Sequence, residues 1–148
     1  MNHQKNRQAA ANSRVYICTP SRPVLTDPIL RANELIGNLK LARDAADLAV
    51  IHGYEPMVPQ LSFPKFVDGE TPEEHELMML LAMRALETCS EVWIVSCRIS
   101  EGMSAVIKRA KMLGIPVKVF TTKGFRRYIG TGDMTDNCVI DTMGSLLD

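Results

Sequence analysis

The residues best suited to chemistry are Ser100, Glu101, Gly102 and Met103, which stand between an apolar run and a stretch with helical spacing. Ser100 can cap the helix, and Gly102 allows a ligand to approach the backbone closely. The free N–H groups of a first helical turn attract an anion. The tetrapeptide therefore predicts an anion site, and the alternative is that Ser100 is only a helix cap.

Two arginines could add positive charge to this site. Arg98 precedes Ser100 by two residues, and Arg22 ends the segment Thr19-Pro20-Ser21-Arg22, which follows another apolar run. The proline breaks that run into a loop. Three loops that follow predicted strands, 19–22, 59–66 and 96–103, are therefore predicted as places for a ligand site, and the third has the best chemistry.

Other chemistry-bearing residues have simpler interpretations. His52 falls at a predicted helix end and His75 in a first helical turn, so exposure to solvent accounts for both. Met78, Met79 and Met83 follow helical spacing, which indicates core positions. The remaining groups are Trp93, a core or interface residue, and the pair Arg126–Arg127, which could clamp a phosphate or simply be solvated.

Metal and nucleophile chemistry find little support in the sequence. The four cysteines form no CxxC pair, no histidine stands at ligand spacing from them, and no Ser/His/Asp set has a suggestive placement. We therefore predict no metal site and no cofactor, and we expect the cysteines to be small buried hydrophobic residues.

Four β-prone runs alternate with three helical stretches, each with its own boundary signals. Asp27-Pro28 and Thr71-Pro72 supply caps and first-turn prolines, and Gly53 and Gly114 end two of the helices. This alternation predicts a parallel sheet covered by helices on both faces, with ligands bound beyond the carboxyl ends of its strands. The predicted strands are 15–18, 55–59, 91–95 and 115–120, and the predicted helices are 29–52, 71–88 and 100–113.

Bulk properties bound the class of protein. The chain has 148 residues, 46% of them hydrophobic, which suits one packed domain. Lys plus Arg equals Asp plus Glu at 17 each, so nothing recommends a nucleic-acid partner, and no apolar run is long enough to span a membrane. We expect a cytoplasmic protein, with residues 1–13 as a disordered leader, 14–120 as the α/β domain and 121–148 as an extension. That extension is predicted to be irregular, with a short final helix or strand as the alternative.

The order of these blocks resembles the nucleoside 2-deoxyribosyltransferase-like superfamily, above all its uncharacterised bacterial and phage members. The resemblance extends over residues 14–120 and implies a flavodoxin-like fold and dimers or larger oligomers. Enzymes of this group break or exchange the N-glycosidic bond of deoxynucleosides or their monophosphates, with a helical glutamate attacking the sugar. The blocks that carry the likeness are Val15–Pro20, Gly53–Pro59, Leu61–Pro64, Cys89–Val95, Ile99–Met103 and Lys111–Val117.

The resemblance implies that both catalytic carboxylates of that family are replaced here. In the family's Ser-x-Gly-x-x-x-Glu pattern, Ser100 and Gly102 match, but Val106 occupies the glutamate position. Ala82, eight residues before Ser90, occupies the usual aspartate position. Valine cannot attack or ionise, and Glu101 lies too early in the helix to take its place directly.

Three hypotheses follow from the sequence. The first is a nucleotide-binding or nucleoside-phosphate-binding protein without glycosidic activity. The second is an active N-glycosidase or deoxyribosyltransferase with Glu101 as a displaced acid, and the third is a protein-interaction module without a ligand. In the first, we expect a homo-oligomer that binds through Thr19, Pro20, Ser21, Arg22, Arg98, Ser100, Glu101, Gly102, Met103 and Val106.

Overall fold

Among the residues that the structure describes, five strands form one sheet in the order β2-β1-β3-β4-β5. A computed structural model of the chain describes residues 13–63, 71–96 and 98–120, and the backbone of 139–141. The first four strands are parallel, which confirms the predicted α/β class, and β5 adds to β4 in the antiparallel sense. The strands are β1 (Arg14–Cys18), β2 (Glu55–Met57), β3 (Glu91–Val95), β4 (Val117–Phe120) and β5 (Val139–Asp141).

Helices α1 (Pro28–Ile51), α3 (Pro72–Glu87) and α4 (Glu101–Leu113) begin and end close to the predicted residues. The Asp27 carboxylate accepts the N–H groups of Ile29 and Leu30 at 3.1 and 3.0 Å, which caps α1. Gly114 ends α4 with φ at 71°, a left-handed conformation that favours glycine.

A short helix, α2 (Pro59–Ser62), begins directly after β2, where the sequence predicted a strand end and then a loop. Pro59 stands at its first position, where the missing N–H costs no helical hydrogen bond. The turn places Gln60 beside the carboxyl end of β1. There the Thr19 hydroxyl donates to Gln60 Oε1 at 3.0 Å.

The alternation of β1 side chains explains the two layers of core. Val15 and Ile17 face α1, whereas Tyr16 faces α3 and α4. Helices therefore cover both faces of the sheet, as predicted. Trp93 is 1% exposed, which settles its place in the core. It makes edge contacts with Tyr54 and Phe120, at centroid distances of 5.5 and 5.8 Å.

Only the second half of α1 packs on the sheet. Its first buried residue is Leu41, so the turns from Pro28 to Lys40 add no fully buried residue to the core. Ile29 and Ile36 in this half are 73% and 65% exposed. The first half of α1 thus presents large apolar side chains to solvent.

Several predictions fall on residues outside the described ranges. These include the leader 1–13 apart from Ser13, the pair Arg126–Arg127, and the extension 121–148 apart from the backbone of β5. Over the ranges that the structure does describe, none of the helices is long and apolar enough to cross a membrane.

Candidate functional site

A cavity of about 530 Å³ opens where two connections leave the sheet in opposite directions. The chain leaves β1 through α1 towards β2, and it leaves β3 through α4 towards β4, while β1 and β3 are neighbours in the sheet. Loops that diverge at such a switch point leave a crevice beyond the carboxyl ends of the two strands. The cavity lies in this crevice and is lined by both loops.

All ten residues predicted to bind the ligand line this cavity. They come from two stretches, the loop after β1 and the segment from Arg98 into α4, that are about 80 residues apart in the chain. The structure therefore brings the predicted residues together, and ligand binding by them stays a prediction. The ten are Thr19, Pro20, Ser21, Arg22, Arg98, Ser100, Glu101, Gly102, Met103 and Val106.

The amino terminus of α4 forms one wall. Ser100 Oγ accepts the Met103 N–H at 3.2 Å, so the helix cap already uses this N–H. The sequence had suggested instead that the Met103 N–H binds the ligand. The first intrahelical bond runs from Ser104 N to Ser100 O at 2.9 Å, so the amides of Glu101 and Gly102 precede it. The Ser100 hydroxyl keeps its own proton, which it can donate to a bound anion.

Gly102 leaves open space in this wall. A methyl group built at its Cα would stand 3.9 Å from Ser100 Oγ, at ordinary van der Waals distance, with no closer neighbour. The protein's own packing therefore does not require glycine here. A ligand that approaches the α4 amides would use the space that a side chain at position 102 would fill.

The turn before α4 is fixed by Ser96, which begins the loop 96–103 predicted for the site but was not among the ten predicted ligand residues. Ser96 is 3% exposed and lines the cavity. Its hydroxyl donates to the Arg98 carbonyl oxygen and accepts the Arg98 N–H at 3.2 Å. The backbone of Arg98 is thus held, and its side chain is carried at the edge of the cavity.

The lining residues outside the predicted ten also include Gln60, which lies in the predicted loop 59–66, and His75 and Met79 of α3. His75 was assigned to solvent, and although it is exposed, its Nδ1 lies 3.0 Å from Arg22 Nη2. Met79 was assigned to the core on helical spacing, but it faces the cavity. Spacing along α3 identifies its apolar side but not which turn of it extends beyond the sheet.

Neutral side chains line the floor of the cavity. Val106 is 3% exposed and packs in the core shared by α3 and α4, whereas Ala82 is fully buried and is not among the lining residues. Burial raises the pKa of the Cys18 thiol to about 12, so it is not an anionic nucleophile at neutral pH. Burial is the main cause of the raised pKa of Tyr16, and electrostatic repulsion from Cys18 and Cys89 raises it further.

Glu101 is the only carboxylate among the described lining residues, and it is exposed. Within ranges 13–63, 71–96 and 98–120, no three His, Cys, Asp or Glu side chains come together as metal ligands would. The described cavity thus combines the α4 amides, two arginines and one histidine with an apolar floor.

The sheet order, the helices on both faces and the cavity at the switch point define a doubly wound, flavodoxin-like α/β domain. Residues 13–120 match a family described as a domain of unknown function (DUF7768), and the chain belongs to this family. No curated protein gives a significant match.

A solved 2-deoxyribosyltransferase from the psychrotolerant bacterium Bacillus psychrosaccharolyticus has a similar structure, with a TM-score of 0.54. The similarity covers 74% of this chain and 72% of that chain, at 14% sequence identity. It establishes a distant relationship in fold to a nucleoside-processing enzyme, as the sequence blocks had indicated. Residue roles are not transferred by a likeness of this kind.

Proposed function

We propose that this protein binds a nucleotide or a related nucleoside phosphate in the cavity and does not break its N-glycosidic bond. The observation that carries the proposal is the meeting of the α4 amides, the Ser100 hydroxyl and the Arg22 and Arg98 side chains around one cavity. Amides at a helix start and guanidinium groups are both well suited to phosphate oxygens.

The remainder of the cavity suits the nucleoside part of such a ligand. Met79, Met103 and Val106 offer apolar surface for a base or sugar. Gln60 offers an amide whose Oε1 accepts the Thr19 hydroxyl at 3.0 Å and whose Nε2 donates to the Asn38 carbonyl oxygen at 3.5 Å, which leaves one N–H donor for a ligand. A hydrogen-bond donor fixed in this way suits a carbonyl or ring nitrogen of a base.

The absence of glycosidic activity in the proposal rests on Val106. If the ligand's sugar lies against this residue, it meets two methyl groups where an attacking carboxylate would be needed to stabilise an oxocarbenium-like transition state. The ligand would therefore leave the cavity unchanged, as in a sensor or carrier.

Isothermal titration against the four deoxynucleoside 5′-monophosphates, with the four deoxynucleosides as matched ligands, tests the proposal. We expect micromolar binding of at least one monophosphate, weaker binding of its nucleoside, and no released base after prolonged incubation. Absence of binding at millimolar ligand would reject the proposal.

A second function is favoured by the position of Glu101 in the cavity wall. An enzyme that uses Glu101 as its acid would release base from a deoxynucleoside monophosphate. Release by the wild-type protein that disappears in Glu101→Gln, with monophosphate binding retained, would establish this activity. Equal release by both proteins would remove Glu101 from the mechanism.

We also infer a homo-oligomer in which a second copy covers the first half of α1. The only charged side chains between Pro28 and Leu39 are Arg31 and Glu34, and both bind the loop of their own chain. The exposed surface of this half is therefore largely apolar and offers little charge for a charged partner to recognise. Self-association suits such a face in a chain of zero net charge.

The same face supports the third hypothesis, an interaction module without a ligand. That hypothesis differs from the first in one measurable respect, because it requires self-association with no response to any nucleotide. We place the protein in the cytoplasm, where the free Cys18 and Cys89 thiols stay reduced, and cell fractionation tests this location.

A further inference from the structure

The loop between β1 and α1 is held by side chains of α1 rather than by packing alone. The Val24 N–H lies 2.9 and 3.0 Å from the two carboxylate oxygens of Glu34, and the Leu25 N–H donates to Glu34 Oε1 at 2.9 Å. One carboxylate thus accepts two successive backbone N–H groups. Charge-assisted bonds of this kind are stronger than neutral ones.

Arg31 completes the attachment from the preceding turn of α1. Its Nη1 atom donates to the carbonyl oxygens of Pro23 and Leu25 at 3.0 and 3.2 Å. In the backbone of residues 23–25, Glu34 therefore binds N–H donors and Arg31 binds carbonyl acceptors. Pro23 and Val24 themselves line the cavity.

The same loop is attached on its other side to α3. Arg22 Nη2 lies 3.0 Å from His75 Nδ1, and both residues line the cavity. Four successive residues, 22–25, are thus tethered to two helices on either side of the loop. Arg22 is carried by a segment that has little freedom left to lose when a ligand binds.

Glu34 lies in the half of α1 that contributes no fully buried residue to the core. Hydrogen bonds from the Leu25 and Val24 N–H groups are the chief cause of its lowered pKa, against a small effect of burial, and the Arg98 and Arg31 charges lower it further.

We propose that Glu34 is a positioning residue for the ligand site, which holds residues 23–25 so that Arg22 stays at the cavity. This inference rests on the proposed function, because it assigns Glu34 an effect on ligand affinity that is exerted through Arg22. Glu34 itself does not line the cavity.

A double-mutant cycle between Glu34→Ala and Arg22→Ala tests the proposal, with the tightest-binding deoxynucleoside monophosphate as the probe. We expect Glu34→Ala to weaken binding about 10-fold in the wild-type background and less than about 2-fold in the Arg22→Ala background. Glu34→Gln, which keeps one acceptor oxygen, is expected to fall between. Amide hydrogen exchange at Val24 and Leu25 should accelerate in Glu34→Ala.

Asp44→Ala is the matched control, because it removes a carboxylate of the same helix that pairs with Lys40 at 2.8 Å. It should leave affinity and loop exchange unchanged. Equal losses from Glu34→Ala in both backgrounds would overturn the proposal, since they indicate a general loss of structure. Faster loop exchange with unchanged affinity would overturn it while the proposed function stands, whereas no binding by the wild-type protein would reject the proposed function itself.

Discussion

Arg22 Nη2 lies 3.0 Å from His75 Nδ1, so a hydrogen bond joins the β1–α1 loop to α3 beside the cavity. This contact links residues 53 positions apart in the chain. It also places a guanidinium group next to an imidazole that both lines the cavity and keeps the guanidinium in place.

Replacement of Arg22 should separate phosphate recognition from nucleoside recognition. Arg22→Ala removes a charge-assisted contact to the phosphate, worth about 1.5–3 kcal/mol, so monophosphate affinity should fall roughly 10- to 150-fold. Affinity for the unphosphorylated nucleoside should change less than about 3-fold. Titration calorimetry measures both, with Arg84→Ala, an exposed arginine at the far end of α3, as the control. Equal losses for both ligands would show that Arg22 does not contact the phosphate.

Gly102 offers a variant in which folding and binding are expected to diverge. Gly102→Ala should leave the free energy of unfolding unchanged or raise it by up to about 1 kcal/mol, because the added methyl meets nothing closer than 3.9 Å and alanine favours the helix. Monophosphate affinity should fall at least about 10-fold, because the methyl occupies the approach to the α4 amides.

The control for that variant is Gly37→Ala, in the middle of α1 and away from the cavity. Its added methyl has no neighbour within 4 Å, so it should stabilise by up to about 1 kcal/mol and leave binding unchanged. Urea unfolding and titration calorimetry supply the two readouts. Undiminished affinity in Gly102→Ala would place the ligand elsewhere in the cavity.

Glu91 should make stability depend on pH in the acid range. Its carboxylate accepts the Trp93 indole N–H at 2.9 Å and the Tyr54 hydroxyl at 3.0 Å, and it pairs with Lys118 at 2.7 Å. Burial raises the pKa of Glu91, but these three partners lower it more, so the folded-state pKa is below the ordinary value. The stabilisation is thus complete above the ordinary glutamate pKa and is lost as pH falls through the lower, folded-state value.

Glu91→Gln should cost about 1–3 kcal/mol at pH 7, from urea unfolding, and should flatten the acid limb of the stability profile. Glu55→Gln is the control, because the Glu55 side chain is 57% exposed and its Oε1 makes a weak ion pair, 3.6 Å from Arg14 Nε. Its loss should cost no more than about 1 kcal/mol. An acid limb as steep in Glu91→Gln as in the wild type would assign the pH dependence to other groups.

Charges placed on the first half of α1 should dissociate the proposed oligomer. We expect the wild-type protein to run as a dimer or larger species and Ile29→Glu/Ile36→Glu to run as a monomer, because two carboxylates would be buried in the contact. Light scattering coupled to gel filtration gives the mass. Ile51→Glu, 76% exposed at the other end of α1, should keep the wild-type mass. A monomeric wild-type protein at high micromolar concentration would contradict the prediction.

Local signals predicted the elements well, because each acts within a few residues. Asp27-Pro28, Ser100 and Gly114 set helix boundaries through caps and backbone conformation, and these are properties of the adjacent sequence. The switch-point cavity followed from the order of strands and helices. The short helix α2 was missed because a proline after a strand is compatible with both a loop and a helical first turn.

The residues that hold the site in place could not be predicted in the same way. Glu34 reaches a loop ten residues earlier and His75 meets an arginine 53 residues earlier, and both contacts depend on how whole helices are oriented. Sequence periodicity identifies the face of a helix that packs but not its rotation over a neighbouring loop. The same limit applies to Gln60, whose position depends on where β2 ends against β1.

Pro56, the middle residue of β2, limits how copies of this protein can associate. Glu55 directs its N–H inwards to Ser13 O at 2.9 Å, so the nitrogen of Pro56 faces the outer edge, where it carries no hydrogen to donate. Of the described strands, β2 is the outermost on its side and has three residues. Strand addition there, the common first step of edge-to-edge aggregation, is disfavoured by the sequence itself, so copies of this protein do not associate through this edge of the sheet.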